Sequence, residues 1–273
     1  LITHLIDVYE SYQFWRYTDV IQRFELGFHL NSLFTKVLYN VYGIDPSSPP
    51  DNKITGVLAS PSFRVVNAFL GSQSPDVRAA KSLLNILNSP LNSQISLLGD
   101  KAFGFICSRL VKHSYELAFL LISIRGSLKM RPSTLERMIF GASSNLVDIY
   151  NSIPSLKRYV IRLFKSLVEV PWTDDYLFLL SYLGQRHSKM LLNSISTDLE
   201  GPLADHKLAK DIYMFFSALM ESKQDGLSIL FLTGDIVSNK AEEQEKKSTD
   251  KKSILSVLKK NALHLDELPE SVG

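Results

Sequence analysis

At 273 residues, 45% hydrophobic and 21% charged, the chain has the balance of a folded polypeptide with a substantial core. Thirty basic against 28 acidic side chains leave a formal charge of +2, too small and too evenly spread to call for nucleic acid or an anionic membrane. The single cysteine, Cys107, rules out an internal disulfide and a cysteine-based zinc site.

The chain opens LITHLIDVYE, without an initiator Met or a signal-peptide pattern, and contains no N-x-S/T sequon. This reads as a piece cut from something longer, in a reducing compartment. The longest near-apolar run, Leu117 to Ile124, falls far short of the ~20 residues that span a bilayer.

Helical periodicity dominates from the start. After the aromatic cluster YQFWRY comes the segment Val20 to Tyr42. There Gln22, Glu25, His29, Ser32, Lys36 and Asn40 recur at spacings of three and four. They form one narrow polar stripe on a helix whose other positions, Ile21, Phe24, Phe28, Leu33, Phe34, Val37 and Val41 among them, are apolar. Such a helix needs neighbours on two or three sides. The Pro- and Ser-rich stretch 43–56 reads as an exposed loop.

Further along, Ser74-Pro75 caps DVRAAKSLLNIL, and Ser133 with Glu136 has capping-box spacing. Pro154 and Pro171 bracket SLKRYVIRLFKSLVEV. Thr173, Asp174 and Asp175 open DDYLFLLSYLG, which Gly184 closes. Leu203 to Glu221 places Leu208, Ile212, Phe215, Phe216 and Leu219 on one face. No segment alternates as a strand does. Roughly a dozen helices, about one pair every ~40 residues, predict an all-α chain: an irregular HEAT- or armadillo-like α-solenoid segment without a repeated consensus. The expected organisation is a solenoid over 1–237, a charged disordered linker over 238–253, and a short amphipathic helix and tail over 254–273.

Catalytic patterns fail on inspection. Cys107 and His113 would point ~120° apart on one helix, and Cys107 reads as a small buried hydrophobe. The histidines at 4, 29, 113, 187, 206 and 264 include no pair at i+3 or i+4, so no metal site is expected. Gly99 and Gly104 have phosphate-loop spacing, but Phe105 and Ile106 stand where Lys and Ser/Thr are required. Ser256 and Lys259 form a chance SxxK, and Asp174 and Asp175 read as helix N-terminal acids. No catalytic, cofactor-binding or metal residue is expected, and no cofactor.

Two surface features need a choice. Lys157, Arg158, Arg162 and Lys165 share one side of a helix. They read as a solvated face or a protein–protein salt-bridge rim; a phosphate-contacting ridge would need an aromatic on the basic side. Phe14, Trp15 and Tyr17 crowd around Arg16 between two apolar-rich helices. The expected role is packing, with rings filling inter-helix corners and Arg16 over a ring face; a partner groove and a nucleic-acid platform are the other readings.

Two stretches also carry a family resemblance. YQFWRYTDVIQRFELGFHLNSLF is similar to an aromatic-rich Trp-x-Tyr segment that leads into a long Glu-containing helix in the giant scaffold nucleoporins. MESKQDGLSILFLTGD resembles their Gln-x-Gly-Leu…Leu-Thr-Gly stretch, here Gln224, Gly226, Leu227, Leu232, Thr233 and Gly234. The order of the two resembles the middle of the inner-ring nucleoporin one-eighty-eight family, with its large inner-ring paralogue second. The resemblance runs to about Val237. It implies a non-enzymatic structural scaffold of the nuclear pore complex in the nuclear envelope, supporting nucleocytoplasmic transport of protein and mRNA. The partners it implies are other scaffold and linker nucleoporins, with a pore-membrane nucleoporin as a further candidate; no small-molecule substrate, nucleic acid or direct membrane span is expected. No binding residue carries over. A different class, a transport-receptor-like helical repeat that carries cargo or binds a small GTPase, is the alternative.

Overall fold

The computed structural model describes residues 1–42, 52–71, 77–93, 101–170, 177–200, 205–234 and 253–263. Among them every regular element is helical. The first layer consists of α2 (Val20–Tyr42), α5 (Lys101–Ser127), α8 (Lys157–Glu169) and α10 (His206–Glu221), each packed on the next. The second contains α3 (Asn52–Leu70), α4 (Arg78–Ser93), α7 (Ser143–Ser152), α9 (Leu179–Glu200) and α11 (Asp225–Thr233). Three further helices fill the seams. α1 (Ile2–Ser11) lies on α3 and α4, α6 (Thr134–Gly141) lies among α4, α7 and α9, and α12 (Ile254–Leu263) lies on α9 and α11.

Helices of the first layer run parallel. On α2 and α5, Asn31 Nδ2 donates to Ser114 Oγ at 2.7 Å, the Phe28 and His113 rings meet at 4.8 Å, and Tyr39 and Phe119 line one recess. On α5 and α8, Tyr115 meets Tyr159 at 6.3 Å and Phe119 meets Arg162 at 4.8 Å. On α8 and α10, Arg158 pairs with Asp211 and the rings of Phe164 and Phe215 stack at 6.2 Å. Residue numbers rise together across each contact. A chain that returns through a second layer before each parallel neighbour is a helical solenoid, whose core grows along one axis.

The local signals explain most boundaries. The polar stripe of α2 faces out, while Phe24, Leu30, Phe34, Val37 and Leu38 are buried. α6 starts on a complete capping box: Ser133 Oγ accepts from the Glu136 N–H, and Glu136 Oε2 accepts from the Ser133 N–H at 2.9 Å. Pro154 begins a 3₁₀ turn into α8. The five residues of α10 expected on one face are all buried. Gly184 interrupts α9 with φ 64° and ψ 178°, a backbone region reserved almost wholly for glycine. The expected short helix ends there, although a second helical run follows in the same element.

Some boundaries differ. The helix expected to open at Asp174 starts at Leu179, after the non-helical Leu177 and Phe178. The loop expected over 43–56 gives way to helix from Asn52, because the apolar positions of α3 pack on α1, α2 and α4 and extend the helix backwards. The cap at Ser74-Pro75, the acids Asp174 and Asp175, Pro171, Gly99 and the stretch 238–252 lie outside the described residues. α12 docks through Ile254 and Val257, both buried.

The core is continuous along the stack and concentrates aromatics at both ends. Tyr9 meets Tyr12, Phe34 and Phe69 at ring distances of 5.2 to 5.9 Å. Phe215, Phe216 and Phe231 form a second set at 5.3 to 6.4 Å. Arg125 and Glu136 are buried between α5 and α6, with Arg125 Nη2 2.7 Å from Glu136 Oε1.

Candidate interaction surface

The aromatic cluster divides rather than packing as a unit. Tyr12 is buried, but Phe14 is 78% exposed, Trp15 45% exposed, and Arg16 is exposed. The cause is local. A 3₁₀ turn over Tyr12–Phe14 passes into extended backbone at Trp15 (φ −71°, ψ 153°), which turns the next rings outward. Trp15 stacks on Tyr17 at 6.5 Å, and Tyr17 Oη donates to the Tyr12 carbonyl at 2.8 Å. The expected packing therefore fails for Phe14 and Trp15 and holds only in part for Tyr17, which is half-buried; the buried ring of the stretch is Tyr12. The guanidinium over a neighbouring ring belongs to Arg23, 4.9 Å from Phe24, in place of Arg16. Phe14 and Gln13, Arg23 and Phe24, and Asn85 and Ile86 bound a groove of about 150 Å³ between α2, α4 and the 3₁₀ turn.

The basic set on α8 is largely neutralised within the chain. Lys157 Nζ lies 2.6 Å from Asp198 Oδ1, and Arg158 Nε lies 2.9 Å from Asp211 Oδ2. Lys165 Nζ lies 2.6 Å from Glu169 Oε2. The first two pairs tie α8 to α9 and α10 and the third lies within α8, so the expected solvated or intermolecular rim is chiefly an internal seam. Tyr150 Oη joins it by donating to Asp198 Oδ2 at 2.6 Å. Arg162 differs, lying 4.8 Å from the Phe119 ring centroid without a carboxylate partner among the described residues.

Sequence patterns give no hint of which arginines stay unpaired. The i, i+4 spacing of Phe105 and Arg109 on α5 is the one local sign: Arg109 sits 4.1 Å from Phe28 and 5.5 Å from Phe105, which is 64% exposed. Beside Arg162, Tyr39, Tyr115, Phe119 and Tyr159 surround a recess of about 70 Å³ with Glu116 at its edge. Burial, helped by the Glu116 carboxylate, pushes the Tyr159 hydroxyl up, while Arg158 and Arg162 oppose it.

The cysteine does not face a base. Burial pushes the Cys107 thiol up, away from thiolate reactivity. His113 Nδ1 lies 3.4 Å from Glu116 and its ring meets Phe28. Ser256 Oγ donates to the Ser253 carbonyl at 2.6 Å, which occupies the hydroxyl of the chance SxxK. Among the described residues no three His, Cys, Asp or Glu side chains stand where they would hold a metal, and no helix is long and apolar enough to cross a membrane.

The Gln-x-Gly-Leu…Leu-Thr-Gly residues are structural. Gln224 is buried and bonds the backbone ahead of α9. A Cβ on Gly226 would stand 2.8 Å from Leu180 Cδ2, so any larger residue there would require Leu180 to shift. Leu227 is buried, and Gly234 caps α11 at φ 79°, its N–H donating to the Leu230 carbonyl at 2.8 Å.

Comparison with known proteins agrees with this architecture. The model of the family described as "Nucleoporin Nup188, N-terminal subdomain III" matches residues 1–235. The chain is 44% identical over its full length to Nucleoporin NUP188 of Saccharomyces cerevisiae. It is 29% identical, over 84% of its length, to Nucleoporin nup184 of Schizosaccharomyces pombe. It spans 16% and 15% of the length of these two relatives.

Proposed function

The chain belongs to the Nup188 family of nucleoporins, and from that premise we propose that it is a scaffold segment of the nuclear pore complex. In this reading it resides at the nuclear envelope and binds other nucleoporins, scaffold and linker types among them. It supports nucleocytoplasmic transport of protein and mRNA by shape and surface. The observation that carries the proposal is 44% identity sustained across the whole chain to a nucleoporin. The architecture supports it physically. A stack of parallel helix layers gives a long, rigid surface for its mass. Its functional groups are engaged in packing and internal ion pairs, which suits a role in binding in place of catalysis.

The test is affinity capture with the 273-residue chain, followed by identification of the bound proteins. Stable recovery of other nucleoporins, independent of added nucleotide, is expected. Recovery dominated by a small GTPase in one nucleotide state would overturn the scaffold reading in favour of a transport receptor.

A further inference from the structure

Two arginines of the first layer share one unusual arrangement. Arg109 on α5 and Arg162 on α8 each lie over a phenylalanine ring of the neighbouring helix, Phe28 and Phe119 respectively, at 4.1 and 4.8 Å. Neither has a carboxylate partner among the described residues. Their neighbours Lys157, Arg158 and Lys165 all do. A ring beneath a guanidinium holds it in place yet leaves the N–H fork at its edge open, so less freedom is lost when a carboxylate binds.

Arg162 is level with Phe119, further along α5 than Arg109. With a helix rise of about 1.5 Å per residue and parallel neighbours about 8–10 Å apart, Arg109 and Arg162 stand roughly 15–20 Å apart. An extended chain covers that distance in about five or six residues. Arg162 lines the recess between Tyr39, Tyr115 and Tyr159, whose walls are mostly aromatic.

We propose that this face docks an acidic, extended polypeptide segment. Its carboxylates pair with the ring-backed guanidiniums of Arg109 and Arg162, and one apolar side chain seats in the tyrosine-lined recess. A nucleic acid fits less well. Glu116 stands at the recess and would oppose a continuous phosphate backbone, whereas a polypeptide can present a neutral residue there. The rings are already covered by guanidinium groups, so they offer no platform for bases. The proposal deepens the scaffold reading and rests on it for the expectation that the partner is a protein.

The test is selection from a displayed library of random peptides of about twelve residues. The target is the immobilised 273-residue chain, and recovered peptides are then measured by fluorescence anisotropy. Recovered sequences should be rich in Asp and Glu around one aromatic or leucine, and affinity should fall as salt is raised. R109Q/R162Q should weaken binding about tenfold or more, equivalent to about 1.4 kcal/mol, whereas R109K/R162K should restore only part of it. K189Q, an exposed position in the second layer, should leave affinity unchanged. Neutral or basic recovered sequences, or unchanged affinity in R109Q/R162Q with an unaltered melting curve, would overturn the proposal. Tighter binding of a single-stranded oligonucleotide or of phosphatidylserine vesicles than of the best peptide would do the same. Failure here leaves nucleoporin capture standing, and failure of capture leaves acidic-peptide binding standing.

Discussion

Gln224 holds the backbone at Leu179 across 45 residues of sequence. Its Oε1 accepts from the Leu179 N–H and its Nε2 donates to the Leu177 carbonyl, both at 2.8 Å. One side-chain amide thus satisfies a donor and an acceptor where α9 begins, and locks α11 to it. Gln224→Leu leaves both groups unpaired, each costing about 1–3 kcal/mol when buried. The expected loss is about 2–4 kcal/mol in chemical denaturation. A midpoint within error of wild type would show that the clamp contributes nothing.

Glu136 is the common acceptor for Arg125, the Ser133 N–H and the Ser133 hydroxyl. Glu136→Ala strands a buried guanidinium and removes half of a capping box, for an expected cost of about 3–5 kcal/mol. Replacing both partners, as in R125M/E136L, should cost less than Glu136→Ala alone, because no uncompensated charge remains. Thermal melts of the three proteins check the order.

Tyr12 and Trp15 separate the buried from the exposed part of the aromatic cluster. Tyr12→Ala should cost about 3–5 kcal/mol, as for other buried rings. Trp15→Ala should cost about 1.5 kcal/mol or less, chiefly the stacking on Tyr17. Gly27→Ala adds a test of the same corner, since its Cβ would stand 2.9 Å from Tyr12 Cζ. The gain in helix propensity is at most ~1 kcal/mol, and overpacking of ~1–3 kcal/mol should exceed it. Equal losses for Tyr12→Ala and Trp15→Ala in denaturation would contradict the division.

Alkaline pH should weaken the fold. Burial pushes the hydroxyls of Tyr9, Tyr12, Tyr115 and Tyr150 up, and for Tyr150 the hydrogen bond to Asp198 adds to the effect. Unfolded tyrosine loses its proton near pH ~10 while these remain protonated in the fold, so the unfolded state binds fewer protons. Their contribution is intact below pH ~10 and declines as pH rises above it, by about 1.4 kcal/mol per pH unit for each residue. Tyr115→Phe should make that decline shallower. Denaturant midpoints between pH ~8 and ~11 provide the measurement.

Shape in solution should match a stack. A compact globule of this length has a radius of gyration near ~18–19 Å, whereas an elongated helical stack should give roughly 20–25 Å. Small-angle scattering on a verified monomer decides between them. A value at the compact limit would contradict an extended stack in solution.

What the amino-acid sequence determined by itself is the local architecture. The span of α2, the capping box at Ser133 and Glu136, the break at Gly184 and the buried face of α10 depend on periodicity and on hydrogen bonds only a few residues long. The Gln-x-Gly-Leu stretch was visible as a motif, yet its purpose was not: Gln224 and Gly226 act on Leu177, Leu179 and Leu180, at and just before the start of another helix. The candidate surface was least legible. Trp15 and Tyr12 are equally apolar in sequence, and the turn between them decides which one meets solvent. Lys157 and Arg162 lie on one helix with the same charge. Only the packing of α9 supplies Asp198 to the first, and only the packing of α5 places Phe119 beneath the second. Burial and charge pairing are properties of distant neighbours, and tertiary structure chooses those neighbours.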